Sequence, residues 1–295
     1  MDFVKKTSHF RELVDEQIAN VFEQQRERGV PEKLVEVMAY AASTGGKRYR
    51  PVLCLTACQA VGGKVENALN AAIAIELLHT YTLIHDDLPC MDNDLLRRGQ
   101  PTVHAKYGED MAVLSGDGMQ ALAFEYVAGA GCLRDELSVE QRLAQVKEFA
   151  RAAGPAGVVG GQWKDVFSNG EFSKELVDYV HHHKTADLII CATVMGAIAG
   201  GASADVIETL RAFAFRLGVA FQVIDDILDG EDPAKATELS ILRIMSEAEA
   251  RALAAKLSDE ALELLAMLPK VSNAKAEDSR EDLRTLVEEQ LKRTL

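Results

Sequence analysis

Apolar residues recur at spacings of three and four along almost the whole chain, with Phe10, Leu13, Val14, Ile18, Val21 and Phe22 forming one stripe and Leu34, Val37, Met38 and Ala41 another. That period predicts α-helices that each bury one face. Glycine, proline and polar clusters interrupt the pattern at 29–31, 44–51, 62–64, 99–101, 134–138, 168–172, 200–204, 230–233 and 268–278, leaving about ten helices. Strand alternation and Asn-Gly hairpin signals are missing, no low-complexity linker divides the chain, and no solenoid period repeats. The expectation is one all-α domain over residues 1–295.

Composition agrees with a globular chain: 48% of the 295 residues are hydrophobic and 26% charged. Acidic residues outnumber basic ones by 46 to 32, a net charge of -14, which argues against nucleic acid or anionic membrane surfaces as partners. Any anionic ligand then needs local basic groups or metal ions. The uncharged run 188–204 is too short for a membrane span and reads as a buried, closely packed helix. No signal peptide or anchor stands at the start, and five cysteines without a framework fit a reducing, cytoplasmic setting. Cys54 and Cys58 lie one helical turn apart with no second pair to complete a zinc site.

The densest chemistry lies in 79–104, HTYTLIHDDLPCMDNDLLRRGQPTVH, where four aspartates and two arginines follow an apolar helix. Carboxylates this close raise one another's pKa or demand cations, and an oxygen-rich set suits magnesium. Asp86 and Asp92 would stand about 120° apart on a regular helix. Pro89 removes a helical hydrogen bond, so the helix should distort there and return Asp92 to the side of Asp86. An EF-hand starting at Asp92 fails, because Arg97 fills the sixth loop position. A solvated acidic helix end is the competing explanation of this segment taken alone.

A second cluster, FQVIDDILD, places Gln222, Asp225, Asp226 and Asp229 on one face of an otherwise apolar helix. Burying those carboxylates without cations is costly, which favours a partly enclosed metal site. Basic groups gather in GGKRYRP (45–51), at Arg97 and Arg98, and at Lys184 beside Thr185. Glycine admits close backbone approach, and Arg and Lys suit diphosphate oxygens. A nucleotide-type phosphate loop is excluded, since Arg48 follows Lys47. Singly, each basic pair also reads as a surface feature. Three histidines, His181 to His183, precede Lys184; on a regular helix they point in different directions, which speaks against a metal site. Trp163 is expected to pack near a helix start, without a catalytic role.

GGKRYRP, DDLPCMDND with RRG, HKT and FQVIDDILD occur in the order seen in trans-prenyl diphosphate synthases, and over 41–229 the chain resembles a short-chain member of that family. The resemblance implies an isoprenoid synthase fold, a helical bundle around a central active-site cavity, and a homodimer. It implies that three Mg2+ ions bind with the diphosphates: Asp86 and Asp92 would hold two, with Asp87 in support, and Asp225 the third, with Asp226 and Asp229 in the same acidic set. Arg97, Lys184, Thr185 and Gln222 would contact the allylic diphosphate. Gly46, Lys47, Arg50, His79 and Arg98 would hold isopentenyl diphosphate. Asp86, Asp92, Arg97, Lys184 and Asp225 would thus form the catalytic set.

In similar enzymes, bulk at the positions of Tyr81 and Thr82, about one turn below Asp86, stops the growing tail. Tyr81 therefore predicts a C15 product, farnesyl diphosphate. C20, geranylgeranyl diphosphate, is the competing outcome because Thr82 is small and LPCMDND and CLTAC resemble geranylgeranyl synthases. One departure stands out: after Asp229 the chain lacks about ten residues of a loop bearing a glycine-lysine pair, with Lys235 as the remnant of its later lysine. A terpene cyclase would not need GGKRYRP or His79. A non-catalytic partner subunit is the remaining alternative, supported by the shortened loop and the Cys54–Cys58 pair.

Overall fold

A computed structural model describes residues 3–129, 135–168, 172–230, 239–270 and 273–293. The described residues form thirteen α-helices, and the helical period seen in the sequence is realised along most of the chain. Helices α1 (Phe3–Glu27), α2 (Glu32–Ser43), α3 (Tyr49–Ala60) and α4 (Val65–Asp86) are followed by the short α5 (Val103–Tyr107), then α6 (Glu109–Val127) and α7 (Val139–Ala153). Helices α8 (Val158–Val166), α9 (Lys174–Val180), α10 (Asp187–Ala199), α11 (Ala204–Asp229), α12 (Glu247–Ala266) and α13 (Ala274–Lys292) complete the set. Capping boxes start two of them: Ser138 with Gln141 at α7 and Ser246 with Glu249 at α12.

The centre is α10, every residue of which is buried. Its lack of an exposed face explains the uncharged run in the sequence: neighbours α3, α4, α7 and α11 cover it on all sides. Close approach needs glycine, and a Cβ on Gly196 would lie 2.1 Å from the Cys54 carbonyl oxygen of α3. The α4 helix is likewise buried along most of its length and packs against α3, α6 and α10.

Three local features depart from the sequence pattern. Gly154, Pro155 and Gly157 separate α7 from α8, and Gly108 separates α5 from α6, two breaks the periodicity had run through. The second feature is a two-residue antiparallel pair, β1 (Leu96–Arg97) with β2 (Gln100–Pro101). Its turn residues Arg98 and Gly99 have φ of 54° and 75°, so Arg98 takes the left-handed conformation that a tight hairpin demands. Third, Trp163 sits past the middle of α8 rather than near its start, 57% exposed and lying against Phe167. Among the described residues no helix is long and apolar enough to cross a membrane. Lys235 and the shortened segment around it lie outside the described residues.

Candidate active site

Helix α4 ends at Asp86, and the chain then turns back over the helix end. Leu88 N–H donates to the His85 carbonyl at 3.2 Å, Asp92 N–H to the Asp86 carbonyl at 2.9 Å, and Asn93 N–H to Leu88 at 3.1 Å. The proline-led distortion therefore returns Asp92 to Asp86. Asp87 turns elsewhere: buried, it accepts from Arg97 Nε at 2.7 Å, and Arg97 also reaches Asp94 at 3.2 Å. Arg97 thus spends its fork on the cluster's own carboxylates. Burial, countered by Lys184 and reinforced by Asp92, pushes the Asp86 carboxyl up to about 6. Asp92 is raised too, mainly by burial, with Lys184 opposing and Asp165 adding repulsion.

A π-helical turn, His181–Ala186, interrupts the run from α9 into α10 and aims its residues at both acidic clusters. Lys184 Nζ donates to Asp165 Oδ2 of α8 at 2.5 Å. Burial works against its charge, yet Asp165, Asp86 and Asp92 together raise its pKa. Thr185 Oγ1 donates to Gln222 Oε1 at 2.7 Å, and Gln222 Nε2 donates to Asp226 Oδ1 at 2.9 Å. The other Asp226 oxygen meets His181 Nε2 at 3.0 Å and the Ile241 N–H at 2.6 Å.

The single acidic face expected on α11 is therefore divided. Asp226 is buried, with both oxygens committed to protein groups, because consecutive residues on a helix point about 100° apart. Asp225 faces α13, where Arg293 Nη2 lies 2.8 Å from its Oδ1, and its carboxyl is raised by burial against the pull of Arg293. Asp229 is exposed. The histidines also differ from expectation. The π-turn stacks the His182 and His183 rings 4.2 Å apart beside Asp187, and the ligand atoms of the three lie within 4.8 Å of one another. Arg151 Nη1, 2.9 Å from Asp187 Oδ1, already balances that carboxylate.

The basic segments meet on the other side. Arg98 Nη1 donates to the Gly45 carbonyl, and a Cβ on Gly46 would lie 2.6 Å from that same nitrogen. Burial, together with Arg50, Arg98, Arg97 and Arg48, holds His79 well below the usual imidazole range, hence neutral. Arg50 has a buried Nε with no hydrogen-bond partner, and Lys47 is exposed. A buried guanidinium nitrogen without an acceptor, amid other cations, marks a place for an anion. Arg48 does something else. Left-handed at φ 47°, it bonds Glu76 and Asp15 at 2.7 Å each and the Ala42 carbonyl at 2.7 Å, pinning the loop to α1, α2 and α4.

Below Asp86, the Tyr81 ring meets His85 edge-on at 4.9 Å, and His85 Nε2 lies 3.3 Å from the Val113 carbonyl of α6. Thr82 donates to the His79 carbonyl at 2.8 Å. Cys54 and Cys58 are buried in the core, where burial pushes the Cys58 thiol up to about 12. Both thiols face the protein interior. Sequence reasoning missed Asp165, Arg48, His181 and Arg293. The Gly160–Gly161 pair before Asp165 was a usable signal: a Cβ on Gly161 would lie 2.3 Å from the Lys184 backbone nitrogen. The pairing of Arg293 with Asp225, 68 positions earlier, had none.

Two acidic clusters facing a basic cradle inside a helical bundle define the isoprenoid synthase fold, and two solved structures share it. An FPP/GFPP synthase from Zymomonas mobilis, in apo form, is 36% identical with a TM-score of 0.82, covering 97% of this chain and 100% of that one. A geranyltransferase from Helicobacter pylori is 30% identical, also at 0.82, covering 98% of each. Residues 31–282 match the sequence pattern described as polyprenyl synthetase, and the chain belongs to that family. Among curated relatives, the Arabidopsis thaliana heterodimeric geranylgeranyl pyrophosphate synthase large subunit 1, chloroplastic, is 46% identical over 250 residues, 80% of this chain and 67% of that protein. The chloroplastic geranylgeranyl pyrophosphate synthase of Capsicum annuum is 48% identical over 201 residues, 68% of this chain and 54% of that protein.

Proposed function

We propose that the protein joins isopentenyl diphosphate to an allylic diphosphate, releasing pyrophosphate and lengthening the allylic chain by one isoprene unit. The observation that carries this reading is the π-turn, whose adjacent Lys184 and Thr185 address both acidic clusters at once. The donor set at those clusters is all carboxylate, and burial with mutual repulsion leaves Asp86, Asp92 and Asp225 raised in spite of the cations beside them, Lys184 at the first cluster and Arg293 at the second. That chemistry fits magnesium, held by Asp86 and Asp92 on one wall and Asp225 on the other, while Asp87 and Asp226 hold the surrounding structure. Bound magnesium would supply charge that stabilises the departing pyrophosphate.

The chain's own groups account for the rest. Lys184 is poised beside Asp86 and Asp92 to meet the allylic diphosphate. The cradle of Lys47, Arg50, Arg98 and neutral His79 suits the second diphosphate. The allylic C–O bond breaks, the isopentenyl double bond forms the new C–C bond, and the proton it sheds passes to the pyrophosphate. No protein nucleophile is required, and buried helices keep water from the cation.

A C20 product, geranylgeranyl diphosphate, is supported by the names of the plant relatives. One observation favours C15 instead: the Tyr81 ring, fixed on His85, as a floor beneath Asp86. The homodimer implied by resemblance belongs to the same proposal, and light scattering of the purified protein tests it. Incubation with isopentenyl diphosphate and dimethylallyl, geranyl or farnesyl diphosphate, with and without magnesium, tests the function by product chromatography. Magnesium-dependent C20 product is expected. C15 alone would assign the floor to Tyr81, and no condensation from any starter would overturn the reading.

A further inference from the structure

The last turn of α13 sits where the second acidic cluster and the GGKRYRP segment meet. Arg293 Nη2 lies 2.8 Å from Asp225 Oδ1, and the guanidinium stands 5.5 Å from the centre of the Phe221 ring. Phe221 in turn tilts against Tyr49, the neighbour of Arg50, at 5.5 Å. Gln290, one turn before Arg293, donates from Nε2 to the Leu217 carbonyl at 3.0 Å and accepts from the Tyr49 hydroxyl at 3.1 Å. Leu217, Phe221 and Asp225 follow one another at four-residue intervals, so a single stripe of α11 carries the whole contact. Its polar end is the Arg293–Asp225 pair.

Asp225 is half-buried, its side chain 28% exposed, and Arg293 is the cation paired with its carboxylate. A guanidinium and a divalent cation cannot share that carboxylate without repelling each other. We propose that Arg293 is the resident counter-ion of Asp225 and must leave it for a divalent cation to bind, so that metal loading on α11 loosens the last turn of α13. Arg293 is then a positioning residue acting through Asp225. It sets the affinity of the α11 metal position and couples it to the helix that also holds Tyr49. This rests on the reading of Asp225 as a metal ligand.

The test uses the full chain with Mg2+ and inorganic pyrophosphate as the probe. Calorimetry reads magnesium affinity, and hydrogen exchange reads the amides of 287–293. For a partly exposed ion pair, Arg293→Ala should bind magnesium about two- to fivefold more tightly than wild type. Its α13 amides should exchange fast already without metal. Arg293→Lys, which keeps the charge without the fork, should fall between. In wild type, adding the probe should speed exchange at 287–293. Asp225→Asn separates the two claims. Equal magnesium binding by wild type and Asp225→Asn would remove Asp225 as a ligand. Weaker binding by Asp225→Asn, with Arg293→Ala no tighter than wild type and α13 unchanged on loading, would keep the ligand and overturn the role of Arg293.

Discussion

Arg48 holds the loop of Gly45, Gly46 and Lys47 in shape, and its removal can be worked through from the structure. The Arg48→Met variant keeps the aliphatic stem and deletes the guanidinium. Of its three bonds, the one to Asp15 contributes least, since that side chain is 54% exposed and such pairs contribute about 0–1 kcal/mol. The bond to Glu76 dominates. Both side chains are nearly sealed, at 7% and 5% exposure, so deleting one partner strands a buried carboxylate. Breaking such a pair costs about 3–5 kcal/mol. At about 2.1 cal/mol/K of unfolding entropy per residue, a chain of this length loses roughly 5–8 °C in Tm, readable by circular dichroism. The loop bearing Gly45, Gly46 and Lys47 loses its anchor as well, so the KM for isopentenyl diphosphate should rise more than kcat falls. Arg48→Met combined with Glu76→Leu should recover most of the Tm, because a buried ion pair exchanged for apolar groups is often neutral in stability. It should not recover the KM. A Tm of the single variant unchanged within error would refute the reasoning, as would a KM rescued along with the Tm.

Three further outcomes follow from the site. With Asp86 raised to about 6 against an unfolded value near 3.8, the folded metal-free chain binds the extra proton, so its stability falls as pH rises through that window. The span is worth about 3 kcal/mol at most, and melting the metal-free protein between pH 4 and pH 7 should show a gain on acidification that Asp86→Asn lacks. Asp165→Asn removes the partner of Lys184 and should raise the KM for the allylic diphosphate about three- to tenfold at nearly unchanged Tm, as expected for one charge-assisted contact; steady-state kinetics with a thermal melt checks both. Tyr81→Ala should lengthen the product if the ring is a floor, read by chromatography, and unchanged chain length would make Tyr81 ordinary packing against His85.

How legible the molecule was depended on the distance along the chain over which each feature is encoded. The helices and the buried character of α10 follow from local apolar spacing, and the turn of the chain over Asp86 follows from Pro89 within a few residues. The breaks at Gly108 and Gly154 were missed because apolar spacing happens to continue across them. The division of labour within FQVIDDILD was illegible, since helical spacing puts Asp225 and Asp226 side by side in sequence while His181, Ile241 and Arg293 come from distant segments.

The sequence by itself determined the all-α architecture, the motif order that marks the family, and the presence of two carboxylate clusters and a basic segment, because each is written within a turn or two of helix. Only the tertiary structure decided which carboxylates remain available. Asp87 is taken by Arg97 and Asp226 by His181 and Gln222, whereas Asp225 carries only Arg293 at one oxygen of a part-exposed side chain, and Lys184 is held by Asp165. The physical reason is that a buried charge must find a partner, and the partner is whatever the packing of other helices delivers to that point.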